Sequence, residues 1–243
     1  MRKMKITAVV ILCVAVIAGG IFALAVPDAF IRYKVDTSFD YLEAENGIVL
    51  IKYTGSEKNI IVPSHIDGKR VISLKGAFCK NNTVENVKLE SGIETVDYMT
   101  FYECLSLVNV FLPDTVTSIE HAAFFGCAGL EKVHTRKGLR EIMPYAFDGC
   151  DFLKKIELPE GLLFIGEEAF KDCSRLTSLY IPASVEVIGG VTENKDIATE
   201  TDQRGSTKHS VFDGCTSLKI SIDENNRYYY IDGGELKGTK PAD

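Results

Sequence analysis

The stretch of sequence that decides the fold is LKKIELPEGLLFIGEEAFKDCSRL, residues 153–176. Ile156 and Leu158 alternate with polar residues, as in a short strand that buries one face, and Pro159 then turns the chain. The segment AFKDC at 169–173 spaces its apolar residues in a way that suits a short helical turn. One unit therefore combines a short strand, a turn and a compact apolar segment.

The same pattern recurs along the chain with a fixed period of twenty-three positions, which is the step from Phe147 to Phe170. Three columns of residues keep this step: Phe78, Phe101, Phe124, Phe147, Phe170 and Phe212; Cys104, Cys127, Cys150, Cys173 and Cys215; and Val84, Leu107, Leu130, Leu153, Leu176 and Leu218. In each column the last step is longer by the same amount, which a single insertion at 191–209 explains. Self-similarity at a fixed period is the signature of a repeat architecture.

A unit of this length cannot bury its apolar residues alone, so successive units must stack around one core. Stacked strands lie about 4.8 Å apart, which would place phenylalanine over phenylalanine and leucine over leucine. The sequence therefore predicts a repeat solenoid of short parallel strands, turns and short helical turns.

The succession Ile/Leu-Pro, Ile and then Ala-Phe-x-x-Cys-x-x-Leu, repeated at this period, resembles the BspA-like, or Treponema-type, leucine-rich repeats of bacterial surface proteins. The resemblance covers about residues 36–236. It implies a leucine-rich-repeat solenoid that serves as a surface interaction module, and some members of the family adhere to host matrix proteins or to other cells. Two units depart from the Leu-Pro step, with Leu89-Glu90 in one and His134-Thr135 in the other.

Both ends of the repeat region are expected to carry a hairpin-like cap. Asn46-Gly47 is a hairpin-turn signal, and the closing segment DENNRYYYIDGGELKG resembles the hairpin that ends repeats of this family. The expected organisation is a signal peptide or N-terminal membrane anchor at 1–27 and a single solenoid at 28–243. Within the solenoid we expect an N-terminal cap at 36–62, repeats at 63–218 and a C-terminal cap at 219–243.

The N-terminus carries the features of an exported protein. A short basic head precedes an uncharged segment, 6–26, which contains the small-x-small run Ala23-Leu24-Ala25. This combination predicts a secretory signal peptide that is cleaved after Ala25. The same segment is also long enough to cross the ~30 Å hydrocarbon core of a bilayer as one helix. Both alternatives place residues 28 onward outside the cytoplasm, as a secreted or singly anchored surface protein.

Charge and motifs favour a binding protein over an enzyme or a nucleic-acid-binding protein. The formal net charge is −7, whereas non-specific binding to nucleic acid depends on Lys and Arg neutralising phosphates. The sequence contains no GxSxG, HExxH, GxGxxG or Walker-type motif, and its four histidines share no spacing that would form one site. We therefore predict no enzymatic activity, no cofactor and no metal.

The regular cysteines raise three alternatives: a structural column, a disulfide framework, or a metal or redox site. The five cysteines of the column occupy one position of the repeat, so their side chains should point the same way, and parallel Cβ vectors disfavour disulfides. No CxxC pair or accompanying histidine gives the spacing of a zinc site. We expect these cysteines to be buried free thiols that act as small hydrophobes. Cys79, which directly follows Phe78, is out of register.

The outward strand positions are the candidate binding surface. Between the two inward residues of each strand, the repeat places one row of side chains on the open face: Lys88, Phe111, His134, Glu157 and Tyr180. The adjacent row consists of Asn86, Asn109, Lys132, Lys155 and Ser178. Exposed aromatic residues such as Phe111 and Tyr180 often anchor protein partners. The alternative is an ordinary solvated face of β-forming residues.

We therefore expect an exported protein-interaction module that binds a host matrix protein or a protein of the cell envelope, and no nucleic acid. The alternatives are a membrane-tethered scaffold for the cell's own envelope proteins, and a glycan or peptidoglycan binder. The chain has no tryptophan, which makes a glycan-stacking platform less attractive. The insertion at 191–209 is polar and is expected to form a loop that is either ornament or a further contact. Contact with a membrane is expected only through residues 6–26.

Overall fold

The structure, a computed structural model, describes residues 32–190, 211–232 and 235–238. Within these ranges the chain forms strands joined by turns, and no helix occurs there. The short helical turns that the sequence predicts, as at 169–173, are therefore wrong, because these residues form tight turns between strands. The strands are β1 Lys34–Val35, β2 Phe39–Ala44, β3 Gly47–Tyr53, β4 Asn59–Val62, β5 His65–Ile66, β6 Lys69–Leu74, β7 Asn86–Leu89, β8 Thr95–Val96, β9 Asn109–Phe111, β10 Ser118–Ile119, β11 Lys132–His134, β12 Glu141–Ile142, β13 Lys155–Ile156, β14 Phe164–Gly166, β15 Ser178–Ile181, β16 Val187–Gly190, β17 Lys219–Ile222, β18 Tyr229–Asp232 and β19 Glu235–Gly238. The apolar segment at 6–26 and the insertion at 191–209 lie outside the described residues.

Successive turns of the solenoid build two sheets. Sheet A has the strand order β1-β4-β7-β9-β11-β13, and sheet B has the order β16-β14-β12-β10-β8-β6-β3-β2. Strands of successive repeats pair in parallel at the predicted repeat offset, as Val110 does with Val133 in sheet A and Ser118 with Glu141 in sheet B. Beyond sheet A, β15 and β17 form a further parallel pair. The predicted repeat solenoid of short parallel strands is confirmed.

A hairpin lies at each end of the repeats. In the first, β2 and β3 pair antiparallel, and Glu45 and Asn46 form the turn, one position earlier than the predicted Asn46-Gly47. Gly47 already belongs to β3, where an added Cβ would clash with the carbonyl oxygen of Arg70. Glycine is therefore needed here for close packing of the backbone. In the second hairpin, β18 pairs antiparallel with β19.

The phenylalanine column forms the centre of the core. Five of its six members are at most 1% exposed. Their rings stack nearly parallel along the solenoid, with centroids 4.9 to 5.3 Å apart. The backbone follows the same step, since the Phe101 N–H donates to the Ala123 carbonyl of the next turn at 2.7 Å. At the far end Phe212 is only partly buried, and its ring lies 6.0 Å from that of Phe170.

Four of the five cysteines of the column are buried, and Cys215 is partly buried. Each thiol donates a hydrogen bond to the carbonyl of the phenylalanine one turn earlier. The Sγ to O distances are 2.8 Å for Cys104 to Phe78 and for Cys127 to Phe101, 3.2 Å for Cys150 to Phe124 and for Cys173 to Phe147, and 3.0 Å for Cys215 to Phe170. Burial raises the pKa of the Cys150 thiol, which keeps it protonated as a donor. Among the described residues all cysteines are free thiols, and Cys79 is exposed.

The residue before each cysteine of the column has a left-handed backbone, which turns the chain so that the thiol points into the stack. The φ angles are 52° for Glu103, 67° for Gly126, 72° for Gly149, 54° for Asp172 and 75° for Gly214. The Asp-Gly pairs at 148–149 and 213–214 are thus turn residues, because glycine adopts this conformation without steric cost.

Candidate functional site

The structure places the predicted outer row on the open face of sheet A. Lys88, Phe111 and His134 are cross-strand neighbours on β7, β9 and β11, and Glu157 follows directly after β13. Lys88 and Glu157 are exposed, whereas Phe111 and His134 are half-buried. The prediction of an exposed Phe111 is therefore wrong in degree.

Phe111 is covered because its ring stacks on the imidazole of His134. The two ring centroids lie 3.9 Å apart with an interplanar angle of 11°. Tyr33 meets the Phe111 ring edge-on from the N-terminal side at 6.1 Å. The row therefore presents a stack of aromatic rings and not a single protruding aromatic side chain.

Tyr180, the last member of the row, lies apart from the others. It belongs to β15, which pairs with β17 and not with sheet A. Its ring is 45% exposed, and its hydroxyl donates a hydrogen bond to the Asp223 carboxylate. This hydrogen bond raises the pKa of Tyr180 to about 12. Tyr180 is thus held by an acidic neighbour that comes from beyond the insertion.

The adjacent row of sheet A changes character along the stack. In the first turns it is a ladder of amides, in which Asn86 donates to Asn59 at 2.7 Å and Asn109 donates to Asn86 at 2.8 Å. In the next two turns the same positions hold Lys132 and Lys155, which are neighbours in the register of β11 and β13. Both lysines are exposed.

Replacing Asn86 with alanine is expected to lower the free energy of unfolding by about 1 to 2 kcal/mol, because its loss leaves Asn59 and Asn109 each short of a hydrogen-bond partner in a partly buried place. The Asn86 side chain is itself buried, at 6% exposure. Urea denaturation measures the change. Ser178→Ala is the matched control, since Ser178 occupies the same repeat position but is exposed. Equal effects of the two substitutions would contradict a structural role for the amide ladder.

A shallow concavity of about 170 Å³ lies on β11 and β13, beside the aromatic stack. Its lining residues are Lys132, Val133, His134, Thr135, Arg136, Lys155 and Glu157. It lies at the second of the two units that depart from the Leu-Pro step. Because His134 pairs with Phe111, the residues that replace Leu-Pro are Thr135 and Arg136, and the assignment of this departure to His134-Thr135 is wrong by one position.

The concavity carries an excess of positive charge on a chain whose net charge is −7. Lys132, Arg136 and Lys155 face one acid, Glu157, whose carboxylate accepts a hydrogen bond from the Lys155 ammonium at 2.7 Å. That hydrogen bond, and with it the charges of Lys155, Lys132 and His134, holds the pKa of Glu157 below its usual value. The arrangement suits the binding of an anionic group.

Sequence reasoning missed Thr135 and Arg136 as members of a site. The only signal is the departure from Leu-Pro, which is equally typical of an irregular repeat. The grouping of Lys132 and Lys155 with Arg136 depends on the register of sheet A and on which side chain faces outward.

Within the described ranges, no group of three or more His, Cys, Asp or Glu side chains could hold a metal ion. The same residues contain no helix that is long and apolar enough to cross a membrane.

The fold defines a leucine-rich-repeat solenoid. Residues 73–192 match the model of the BspA type leucine rich repeat region, in six copies. The repeats of this chain belong to that family, as their sequence pattern implied. No curated protein sequence matches the chain.

Solved structures of bacterial leucine-rich repeat proteins share the fold. A T. pallidum leucine-rich repeat protein is 26% identical with a TM-score of 0.54, over 79% of this chain and 81% of that one. A leucine-rich cell surface protein from Faecalibacterium prausnitzii is 23% identical with a TM-score of 0.60, over 85% of this chain and 58% of that one. A protein from Bacteroides ovatus is 22% identical with a TM-score of 0.54, over 78% and 52%. The chain thus spans little more than half of the last two.

Proposed function

We propose that this protein is a non-enzymatic, exported interaction module that binds another protein through the open face of sheet A. The observation that carries the proposal is the outer row of that face, where the Phe111–His134 stack lies beside a charged concavity. Interfaces combine an aromatic centre with a polar surround in this way. Membership of a family of bacterial surface repeats supports an external location. The N-terminal sequence, a basic head followed by an apolar segment, supports it as well.

The geometry is less suited to a glycan as the partner. Sugars stack on open ring faces, but Phe111 and His134 cover one another at 3.9 Å. The protein partner is either a host matrix protein, which makes the chain an adhesin, or a protein of the cell's own envelope, which makes it a scaffold.

The test measures saturable binding of the purified chain to a panel of immobilised extracellular-matrix proteins and, in parallel, to the envelope extract of the producing cell. The test variant is Phe111→Ala with His134→Ala. The matched control is Tyr102→Ala with Phe125→Ala, which removes another stacked pair, with centroids 5.1 Å apart, that lies in the turns outside both sheets. Circular dichroism and thermal denaturation verify that both variants are folded.

We expect the affinity for the partner to fall at least tenfold in the sheet A variant and to change less than twofold in the control. If the sheet A variant loses affinity for a matrix protein, the result supports an adhesin. If it loses affinity only for the envelope extract, the result supports an envelope scaffold. Equal binding by the two variants would overturn the assignment to sheet A. If the wild-type chain is retained by neither set of baits, a protein-binding role is wrong.

A further inference from the structure

We propose that the cationic concavity on β11 and β13 binds the carboxylate side chains of a short acidic segment in the partner protein. The inference rests on the proposed function and adds the chemical class of the segment that the site accepts. It depends on three features: where the concavity lies in the repeat, which charges line it, and how far those charges extend along sheet A.

The concavity lies where one turn of the repeat departs from the Leu-Pro step. At the position of Thr135, the neighbouring turns carry Leu112 and Leu158, which are 3% and 8% exposed. Thr135 is shorter and half-buried, and its hydroxyl donates to the backbone carbonyl of Glu157 in the next turn. Thr135 lines the concavity, whereas the leucines of the neighbouring turns pack in the core. Positions at which a sequence departs from its own pattern are commonly functional.

The same departure adds charge where the repeat would place none. Arg136 stands where the neighbouring turns have Pro113 and Pro159. It is exposed and lines the concavity together with Lys132. A guanidinium presents a planar fork of donors that matches a carboxylate. One turn thus replaces an apolar Leu-Pro pair by a polar cavity wall and a cation.

Glu157 shows that this place accepts a carboxylate. Its side chain is 73% exposed, yet it forms an ion pair with Lys155 at 2.7 Å. Even so, the three cations outnumber it, so the concavity keeps positive charge for at least one more anionic group. Glu157 also competes with that group for Lys155.

The extent of the charge selects a short segment over a long polyanion. The cations occupy two adjacent turns, which span about 10 Å including their side chains. On one side the adjacent row continues as the neutral amides of Asn86 and Asn109. On the other side the outer row ends at Tyr180, and the carboxylate of its partner Asp223 would repel an anion. Lys88 also lies on the open face, but it is two turns away from His134, so a polysulfated chain would meet a dense group of cations only over this short length. The Phe111–His134 stack next to the cations offers contact to an apolar residue of the same segment.

The test uses a short fluorescein-labelled peptide that is rich in Asp and Glu around a central Phe, with fluorescence anisotropy as the readout and the full chain in mild detergent. The comparison probes are the same peptide with Asn and Gln in place of the acids, and a heparin oligosaccharide. We expect the acidic peptide to bind at least tenfold more tightly than its amide counterpart and than heparin, with an affinity that falls as salt rises.

Two variants locate the site. Lys132→Glu with Arg136→Glu should weaken binding of the acidic peptide at least tenfold, whereas Lys52→Glu with Lys75→Glu, the same charge change at exposed lysines in and next to sheet B, should change it less than twofold. Thr135→Leu with Arg136→Pro restores the repeat pattern. It should weaken binding at least tenfold while the melting temperature stays equal or rises, so that loss of folding does not account for the loss of binding. Glu157→Gln should strengthen binding severalfold by removing the internal competitor.

The inference is overturned if the acidic peptide binds no better than its amide counterpart, if heparin binds more tightly than the peptide, or if the restored-repeat variant binds as the wild type does. These outcomes differ from a failure of the proposed function. That function fails when Phe111→Ala with His134→Ala leaves the binding of a partner protein unchanged, whatever the peptide does.

Discussion

Replacing Phe124 with alanine is expected to lower the free energy of unfolding by about 4 kcal/mol. The ring is fully buried at the middle of the phenylalanine column, and it stacks on Phe101 and Phe147 at 5.0 Å on either side. Its removal takes apolar surface out of the core and leaves a cavity between two rigid neighbours, whose backbones are held by the hydrogen bonds of adjacent turns. The cavity therefore has little freedom to collapse, which is the condition under which such substitutions are most destabilising.

Urea denaturation followed by circular dichroism measures this loss. Two further alanine substitutions calibrate it: Phe212→Ala at the partly buried end of the column, and Phe152→Ala, whose ring is 39% exposed under the Arg175 guanidinium. We expect about 2 kcal/mol for the first and less than about 1 kcal/mol for the second, since the effect follows the apolar area that each ring buries. Similar values for all three would contradict a core built on the phenylalanine column.

Replacing Asp148 with asparagine is expected to raise the free energy of unfolding at pH 7 by about 2 kcal/mol, because it removes a charge that the folded state holds less favourably than the unfolded state does. Burial raises the pKa of Asp148 to about 6; Lys171 opposes the shift, while Asp172 and Glu168 add to it. Since the pKa of the folded state lies above that of the unfolded state, the folded chain binds the proton more tightly. The wild type therefore loses stability as the pH rises from about 4 to about 6 and does not regain it at pH 7. A pKa that differs by about two between the two states corresponds to about 3 kcal/mol, and partial solvation of the side chain reduces this.

The gain from Asp148→Asn should shrink to a few tenths of a kcal/mol at pH 4, where the wild-type carboxyl is protonated in the folded state. Thermal and urea denaturation at the two pH values give the difference. Asp151→Asn is the control, because Asp151 lies in the same turn and is exposed; its effect should stay within about 0.5 kcal/mol at both pH values. A gain of equal size at pH 4 and pH 7 would show that the charge of Asp148 is not the cause.

The repeat period alone was sufficient to predict the solenoid, the strand register and the buried columns. A strict period means that each position meets its own counterpart in the next turn, so the neighbours of Phe124 follow from counting. The same counting placed Lys88, Phe111 and His134 on one face. It identified the cysteine column as core but not the hydrogen bond of each thiol to a phenylalanine carbonyl, which depends on the direction of a side chain.

Contacts that cross the period or break it were not predictable in this way. Tyr180 meets Asp223, 43 residues away, because the insertion intervenes between their turns. The aromatic stack depends on a flat approach of His134 to Phe111 that spacing does not specify. Predicting the residues at the concavity requires knowing that Thr135, and not His134, takes the place of leucine. An alignment of the repeats that is one residue out of register assigns the departure to the wrong residues.

Each hydrogen bond from a cysteine thiol to a phenylalanine carbonyl joins one turn to the turn before it. The stacked phenylalanine rings also join each turn to its neighbours. Every interface within the array is therefore nearly the same interface, and the core has no central element that all other parts depend on. A duplication of the codons for one repeat would insert a turn that meets familiar side chains above and below, and a deletion would rejoin two turns that already fit. Such a chain can change its length over generations without redesigning its interior.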